Sequence, residues 1–148
     1  AIYEYDLDAD RLRRVIASDI VADEGHDVAP HYLPDGRIVF ASSRQRGSKA
    51  ILIDEGKSQF SAGIEGDRNL PAFVLHVMNA DGTGIRQLSY NRSHDLDPTV
   101  LNDGRILFTR WNNAAGNQGM HLYTVLPDGG ATQLLYGRRS HATGTNGS

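Results

Sequence analysis

Three histidines recur at one place in this sequence, and imidazole is the side chain most often recruited to hold a metal. His26 and His94 each precede an aspartate, Asp27 and Asp95, and each stands four residues ahead of a proline; His141 follows Ser140 as His94 follows Ser93. Carboxylates beside imidazoles can orient the rings through hydrogen bonds, so His26, His94 and His141 gathered around one ion would make a metal site. The competing reading is structural. A repeated unit needs a repeated tie to its neighbour, and buried hydrogen bonds from His-Asp pairs supply one. Repetition itself favours the tie. The expectation is that His26, Asp27, His94, Asp95 and His141 are structural residues and that no metal is held.

Other chemistries find less support. Asp6, Asp8 and Asp10 form an alternating acidic run, but a calcium loop of the EF-hand kind wants Gly at its sixth position and Glu at its twelfth, where this chain has Arg11 and Ala17. The run reads as a polar hairpin turn. Gly82-Thr83-Gly84 precedes a strand pattern, whereas phosphate-binding glycine loops face a helix N-terminus. Ser140 and His141 are adjacent and no Gly-x-Ser-x-Gly elbow is present, so a serine-hydrolase site is not expected. Phe108, Trp111 and Tyr123 sit on strand patterns and read as packing. Asn91-Arg92-Ser93 and Asn146-Gly147-Ser148 match a short glycosylation pattern that arises often by chance. The sequence contains no cysteine, which removes disulfides, thiolate nucleophiles, cysteine-ligated zinc and c-type haem attachment; no cofactor is expected in this chain.

The elements that would position these residues follow from a repeat. The segment from His26 to Arg44 (HDVAPHYLPDGRIVFASSR) returns from His94 to Asn112 (HDLDPTVLNDGRILFTRWN) at an offset of 68. Leu75–Leu88 (LHVMNADGTGIRQL) returns as Leu122–Leu135 (LYTVLPDGGATQLL) at an offset of 47, and Ser93-His94 returns as Ser140-His141 at the same offset. The period is therefore 47 residues, with an insertion of 21 that falls within 45–71. Strands are expected at Val28–Leu33, Arg37–Ser42, Phe73–Met78 and Ile85–Tyr90, then at Pro98–Leu101, Arg105–Arg110, Met120–Leu126 and Thr132–Tyr136. Ala50–Ile53 is a further short candidate inside the insertion. Asp35-Gly36, Asp81-Gly82, Asp103-Gly104 and Asp128-Gly129 predict four hairpins, because Gly accepts the positive φ of primed turns. Asp8–Ile20 is the best helical stretch, and a strand pair ranks above it. The chain has 148 residues, of which 39% are hydrophobic and 22% charged, and a net charge of −3. Such a balance is globular, gives no electrostatic case for nucleic acid, and includes no apolar run long enough to insert in a membrane.

Four antiparallel strands every 40 to 50 residues describe a β-propeller blade. The stretches LPDGRIVFASSR and HVMNADGTGIRQLS resemble the WD-repeat-like blades of TolB-type propellers. HDLDPTVLNDGRILFTRW followed by SHATG is similar to the propeller region of hydrazine synthase alpha-subunit-like proteins. The fold expected is all-β: a propeller segment of about three four-stranded antiparallel blades, part of a larger propeller. Residues 1–25 would supply the outer strands of one blade, 26–92 a full blade with its insertion, 93–139 a second full blade, and 140–148 the start of the next. The repeated histidines would then gather near one mouth of the central channel. The resemblance implies an extracytoplasmic, periplasmic setting, and partners that are the rest of the propeller or other protein subunits in an oligomer or complex. It implies a non-catalytic scaffold offering interaction surfaces. The alternative is the propeller part of a hydrazine-synthase-like haem oxidoreductase whose cofactors lie outside this chain, since no Cys-x-x-Cys-His is present here to bind haem. A propeller lyase or a sugar-binding propeller using channel histidines is a third and weaker option.

Overall fold

The computed structural model describes residues 1–44, 64–65, 70–91, 93–111 and 119–137. The chain opens with a hairpin, β1 (Tyr3–Asp6) and β2 (Arg11–Arg14), followed by a single helical turn, α1 (Asp19–Ala22). The strand pair thus replaces most of the Asp8–Ile20 helical stretch. The turn that remains is started by Ser18, whose Oγ accepts the Val21 N–H. Then come β3 (Asp27–Tyr32), β4 (Ile38–Ser42), a small ladder of β5 (Ile64–Glu65) with β6 (Leu70–Pro71), β7 (Val74–Met78) and β8 (Arg86–Gln87). The last four strands are β9 (Asp95–Val100), β10 (Ile106–Trp111), β11 (Met120–Val125) and β12 (Gln133–Tyr136). Two four-stranded antiparallel sheets result, β3-β4-β7-β8 and β9-β10-β11-β12. The Ala50–Ile53 candidate lies outside the described residues.

All four Asp-Gly hairpins share one geometry, and it is not the primed two-residue turn that Asp-Gly suggests. Gly36, Gly82, Gly104 and Gly129 have φ between +81° and +91°, while the preceding aspartates stay at negative φ. Each glycine N–H returns to the carbonyl three residues before it, at 2.8–2.9 Å, and the strands close one residue further on, as Leu33 N–H does on the Arg37 carbonyl. These are three-residue loops in which the glycine forms a bulge. Each aspartate Oδ1 also accepts the N–H two residues ahead: Arg37, Thr83, Arg105 and Gly130. The carboxyls of Asp35 and Asp81 are held below the usual range chiefly by the side chains of Arg37 and Thr83, and that of Asp103 chiefly by the Arg105 N–H.

The strands β3 and β9 start earlier than their sequence suggests, at Asp27 and Asp95. Each continues through a bulge in which the residue before proline, Ala29 or Asp97, takes φ +50°. The pairing of β3 with β4 slips between Val28 and His31, and that of β9 with β10 slips between Leu107 and Thr109. The bulge lets an extended strand accommodate Pro30 and Pro98.

Packing explains the apolar positions. Between the two sheets lie Leu33, Val39, Ala41, Leu75, Val77, Leu88, Ile106, Phe108 and Val125. The opposite face of the first sheet packs Ile38, Phe40 and Met78 against Ile2, Val15 and Ile16 of the opening hairpin. Strands β4 and β7 are therefore buried at every residue, whereas β12 is exposed at every residue.

Candidate functional site

The repeated aspartates are the best-defined polar centres of the molecule. Asp95 is fully buried at the start of β9, directly across the ladder from Arg110 on β10. Arg110 donates from Nε to Oδ1 and from Nη2 to Oδ2 at 2.8 Å each, a two-pronged pairing that fits guanidinium to carboxylate. The Arg110 guanidinium also lies over the rings of Phe108 and Tyr123, 5.3 and 5.1 Å from their centres. Two groups from the segment after β8 complete the centre. Ser89 Oγ donates to Oδ2 at 2.6 Å, and Asn91 Nδ2 donates to Oδ1 at 3.1 Å. Ser89 Oγ in turn accepts the Leu75 N–H, and the Asp95 N–H donates to the Phe73 carbonyl. One carboxylate thus pins the second sheet to the first.

Asp27 is the counterpart 68 residues earlier, and it solves the same problem with a displaced partner. The position equivalent to Arg110 is Ser42, which donates to Asp27 Oδ1 at 2.6 Å. The arginine stands two residues further on. Arg44, buried, donates from Nε to Oδ1 at 3.0 Å and from Nη2 to Oδ2 at 2.5 Å. Its Nη1 donates to the Val21 carbonyl of α1 and lies 3.5 Å from Glu24, so this centre ties the helical turn to the first sheet.

The histidines themselves diverge. His94 and His26 both immediately precede the first strand of a sheet, as the repeat requires. His94 Nδ1 accepts the Phe73 N–H at 3.1 Å, and its ring stacks on Phe73 and, within 10° of parallel, on Trp111. His26 bonds differently. Its ring is exposed, and its bonds run through the backbone, to Ser43 Oγ and from Ser43 N–H. The residue equivalent to Trp111 is Ser43, and among the described residues no ring stacks on His26. His141 lies outside the described residues, as does Asn146. Among the described residues no group of three or more histidine or carboxylate side chains is arranged to hold a metal. Asp6 ends β1, and Asp8 and Asp10 lie in the β1–β2 loop, where Asp6 Oδ1 accepts the N–H groups of Asp8 and Ala9. Asn91, the first glycosylation candidate, spends its amide on Asp95 and on the carbonyls of His94 and Trp111.

Sequence reasoning missed Arg44 and Arg110 as the partners of the aspartates. The signal was present. Phe108 and Arg110 alternate on one face of β10, and Arg44 keeps the same two-residue spacing after Phe40 and Ser42 just beyond the end of β4; a cation that follows an apolar stripe into the interior demands a buried anion.

Reasoning from the repeat also missed His76. It is buried on β7, stacked on Phe40, and its Nδ1 donates to the Val74 carbonyl at 3.0 Å. Burial, reinforced by Arg44 and opposed by the Val74 carbonyl and Asp27, pushes its pKa down from 6.5 to about 4. The unfolded chain binds this proton below pH 6.5, and the folded chain resists it until about pH 4. Stability is therefore full above pH 6.5 and declines as the pH falls towards 4, by about 3 kcal/mol. Urea midpoints measured from pH 7.5 to 4.5 should fall, and a His76→Leu variant should lose most of that slope. An equal slope in both proteins would count against a buried, neutral His76.

No family model matches the sequence, and no curated protein matches it at a significant level. Solved structures do. A TolB structure from Agrobacterium tumefaciens superposes with a TM-score of 0.63 at 18% identity, covering 91% of this chain and 40% of that one. Hydrazine synthase of Kuenenia stuttgartiensis superposes with a TM-score of 0.61 at 18% identity, covering 91% of this chain and 22% of that one. Among the described residues no helix is long and apolar enough to cross a membrane. At such identity the likeness is one of architecture: the chain has the fold of part of a TolB-like β-propeller.

Proposed function

We propose that this chain is a non-catalytic scaffold segment of a larger propeller protein working outside the cytoplasm, and that it acts by packing against further blades or other subunits. The observation that carries this reading is the contrast between the two sheets. The first has its two central strands, β4 and β7, buried at every residue. The second leaves Met120, Leu134, Leu135 and Tyr136 exposed on its last two strands, as a blade does before its neighbour is in place. The buried charged groups support it from the other side. Asp27, Arg44 and Asp95 are buried and spend their charged groups on intramolecular hydrogen bonds that tie elements of the fold together. The likeness to hydrazine synthase supports a second setting, in which such a segment positions haem domains carried elsewhere. Cys-x-x-Cys-His in the flanking sequence of the same polypeptide would favour that setting.

The test is the solution behaviour of the chain. Apolar surface in water costs about 25 cal/mol per Å², so sedimentation velocity should show concentration-dependent association. A monodisperse monomer that melts cooperatively would contradict the proposal.

A further inference from the structure

Two of the Asp-Gly turns do more than reverse the chain. The Ala80–Gly82 turn sits on β2 and the segment after it: Arg13 Nη2 donates to the Ala80 carbonyl at 2.9 Å, and a Cβ on Gly82 would lie 2.2 Å from the Val15 carbonyl oxygen. The Pro127–Gly129 turn sits on β8 in the same way. Arg86 Nη2 donates to the Pro127 carbonyl at 3.0 Å, and a Cβ on Gly129 would lie 3.0 Å from the Leu88 carbonyl oxygen. The turns are 47 residues apart, and the arginine and the apolar residue two places on keep one spacing in both docks. Beneath the seated turns Val15 is 1% exposed and Leu88 2%.

The repeat places a third dock on β12. Gln133 and Leu135 stand 47 residues after Arg86 and Leu88. The backbone irregularity is there too. The Leu75 carbonyl takes the N–H groups of both Leu88 and Ser89, and the β11–β12 register slips at the equivalent place, between Leu122 and Tyr123. What differs is cover: Leu135 is 55% exposed and Gln133 is exposed.

We propose that β12 is a vacant dock for the Asp-Gly hairpin turn of a further propeller blade, and not for a second copy of this chain. The inference rests on the scaffold reading and names the surface through which it works. Its occupant follows from the two docks already filled: a three-residue turn with glycine at positive φ, whose carbonyl accepts a donor at position 133. A second copy offers the wrong key. Its Asp81-Gly82 and Asp128-Gly129 turns are seated within their own chain. Its Asp35-Gly36 and Asp103-Gly104 turns join the first two strands of a sheet, whereas both filled docks hold the turn that joins the last two. Its remaining loop, between β1 and β2, is one residue longer. That loop puts Asp10 at φ +47° where the seated turns have glycine, so it carries a Cβ into the tightest point of the contact.

The experiment is an NMR titration of the isotopically labelled full chain with a cyclised hairpin peptide copying His76–Leu88. Amide shifts should cluster at Gln133–Tyr136. A peptide with Gly82→Ala should bind at least about tenfold more weakly, and Leu135→Asp in the chain should abolish the shifts. Gln133→Arg, which restores the donor of the other two docks, should tighten binding about tenfold. This gain does not depend on whether Leu135→Asp folds. Absence of binding at about 1 mM peptide, shifts elsewhere, or equal binding of the Gly and Ala peptides would overturn the proposal. So would a discrete, saturable dimer of the chain that disappears in Leu135→Asp, because a second copy would then be the occupant of β12, unlike the open-ended association that exposed apolar surface produces. A monomeric chain that still binds the hairpin at β12 would remove the scaffold reading and leave the dock standing.

Discussion

Replacing Asp95 by Ala should destabilise the chain by about 3 to 5 kcal/mol, a large fraction of what a domain of this size possesses. Asp95 is wholly buried and takes two hydrogen bonds from Arg110, one from Ser89 and one from Asn91. Its loss leaves the mostly buried Arg110 guanidinium without a counter-ion, while Ser89 loses its acceptor and Asn91 one of its three. The penalty is that of an uncompensated buried charge and exceeds what the ion pair itself contributes. A double variant, Asp95→Leu with Arg110→Met, should therefore cost less than Asp95→Ala alone. Urea unfolding at one fixed protein concentration measures both. A single-variant cost below about 1 kcal/mol would show that the site is solvated and that its short bonds do not hold the two sheets together.

Gly82→Ala should be much more damaging than Gly36→Ala, although the two glycines occupy the same turn at φ of +81° and +85°. Left-handed backbone costs an alanine about 1 to 2 kcal/mol, and at Gly36 that is the whole effect, because a Cβ there meets nothing within 4 Å. At Gly82 the added carbon would meet the Val15 carbonyl oxygen at 2.2 Å, a backbone atom of a packed hairpin that cannot swing aside. Displacing it adds about 1 to 3 kcal/mol. Thermal unfolding of the two variants side by side separates local strain from a lost contact. Equal costs would mean that the β1–β2 hairpin is not seated on the Asp81-Gly82 turn.

Much of this fold was legible because local and periodic signals coincide. Strands such as Ile106–Trp111 are β-branched and aromatic, and the 47-residue period places them whatever the packing. The Asp-Gly pairs marked all four hairpins but not their turn type. That depends on which residue the strands pair after the glycine, and register is a property of two strands together. The Asp27 and Asp95 positions were legible from the repeat, and their partners were not. Arg44 and Arg110 occupy non-equivalent places in the two units, one just beyond β4 and the other within β10, so alignment of the repeats hid them. The difference between His26 and His94 was hidden for the complementary reason. The repeat makes the two equal, but the stacking of His94 depends on Trp111, whose counterpart is Ser43. His76 carried no motif at all, because its burial comes from being covered on a face that no local pattern reports.

The pre-proline bulges at Ala29 and Asp97 bear on how the chain avoids aggregation. Strands β3 and β9 stand at the edges of their sheets, each with one neighbour, β4 or β10. A straight edge strand offers a continuous row of backbone donors and acceptors to any extended chain, and identical nascent chains are the most abundant candidates. Here Pro30 and Pro98 remove one donor from each row, and the residues at φ +50° turn the backbone out of line beside them. An incoming strand therefore loses its register at the bulge. Strain at two left-handed residues thus guards against templated cross-β growth, a safeguard best placed on edges that stay open until every neighbouring unit has arrived.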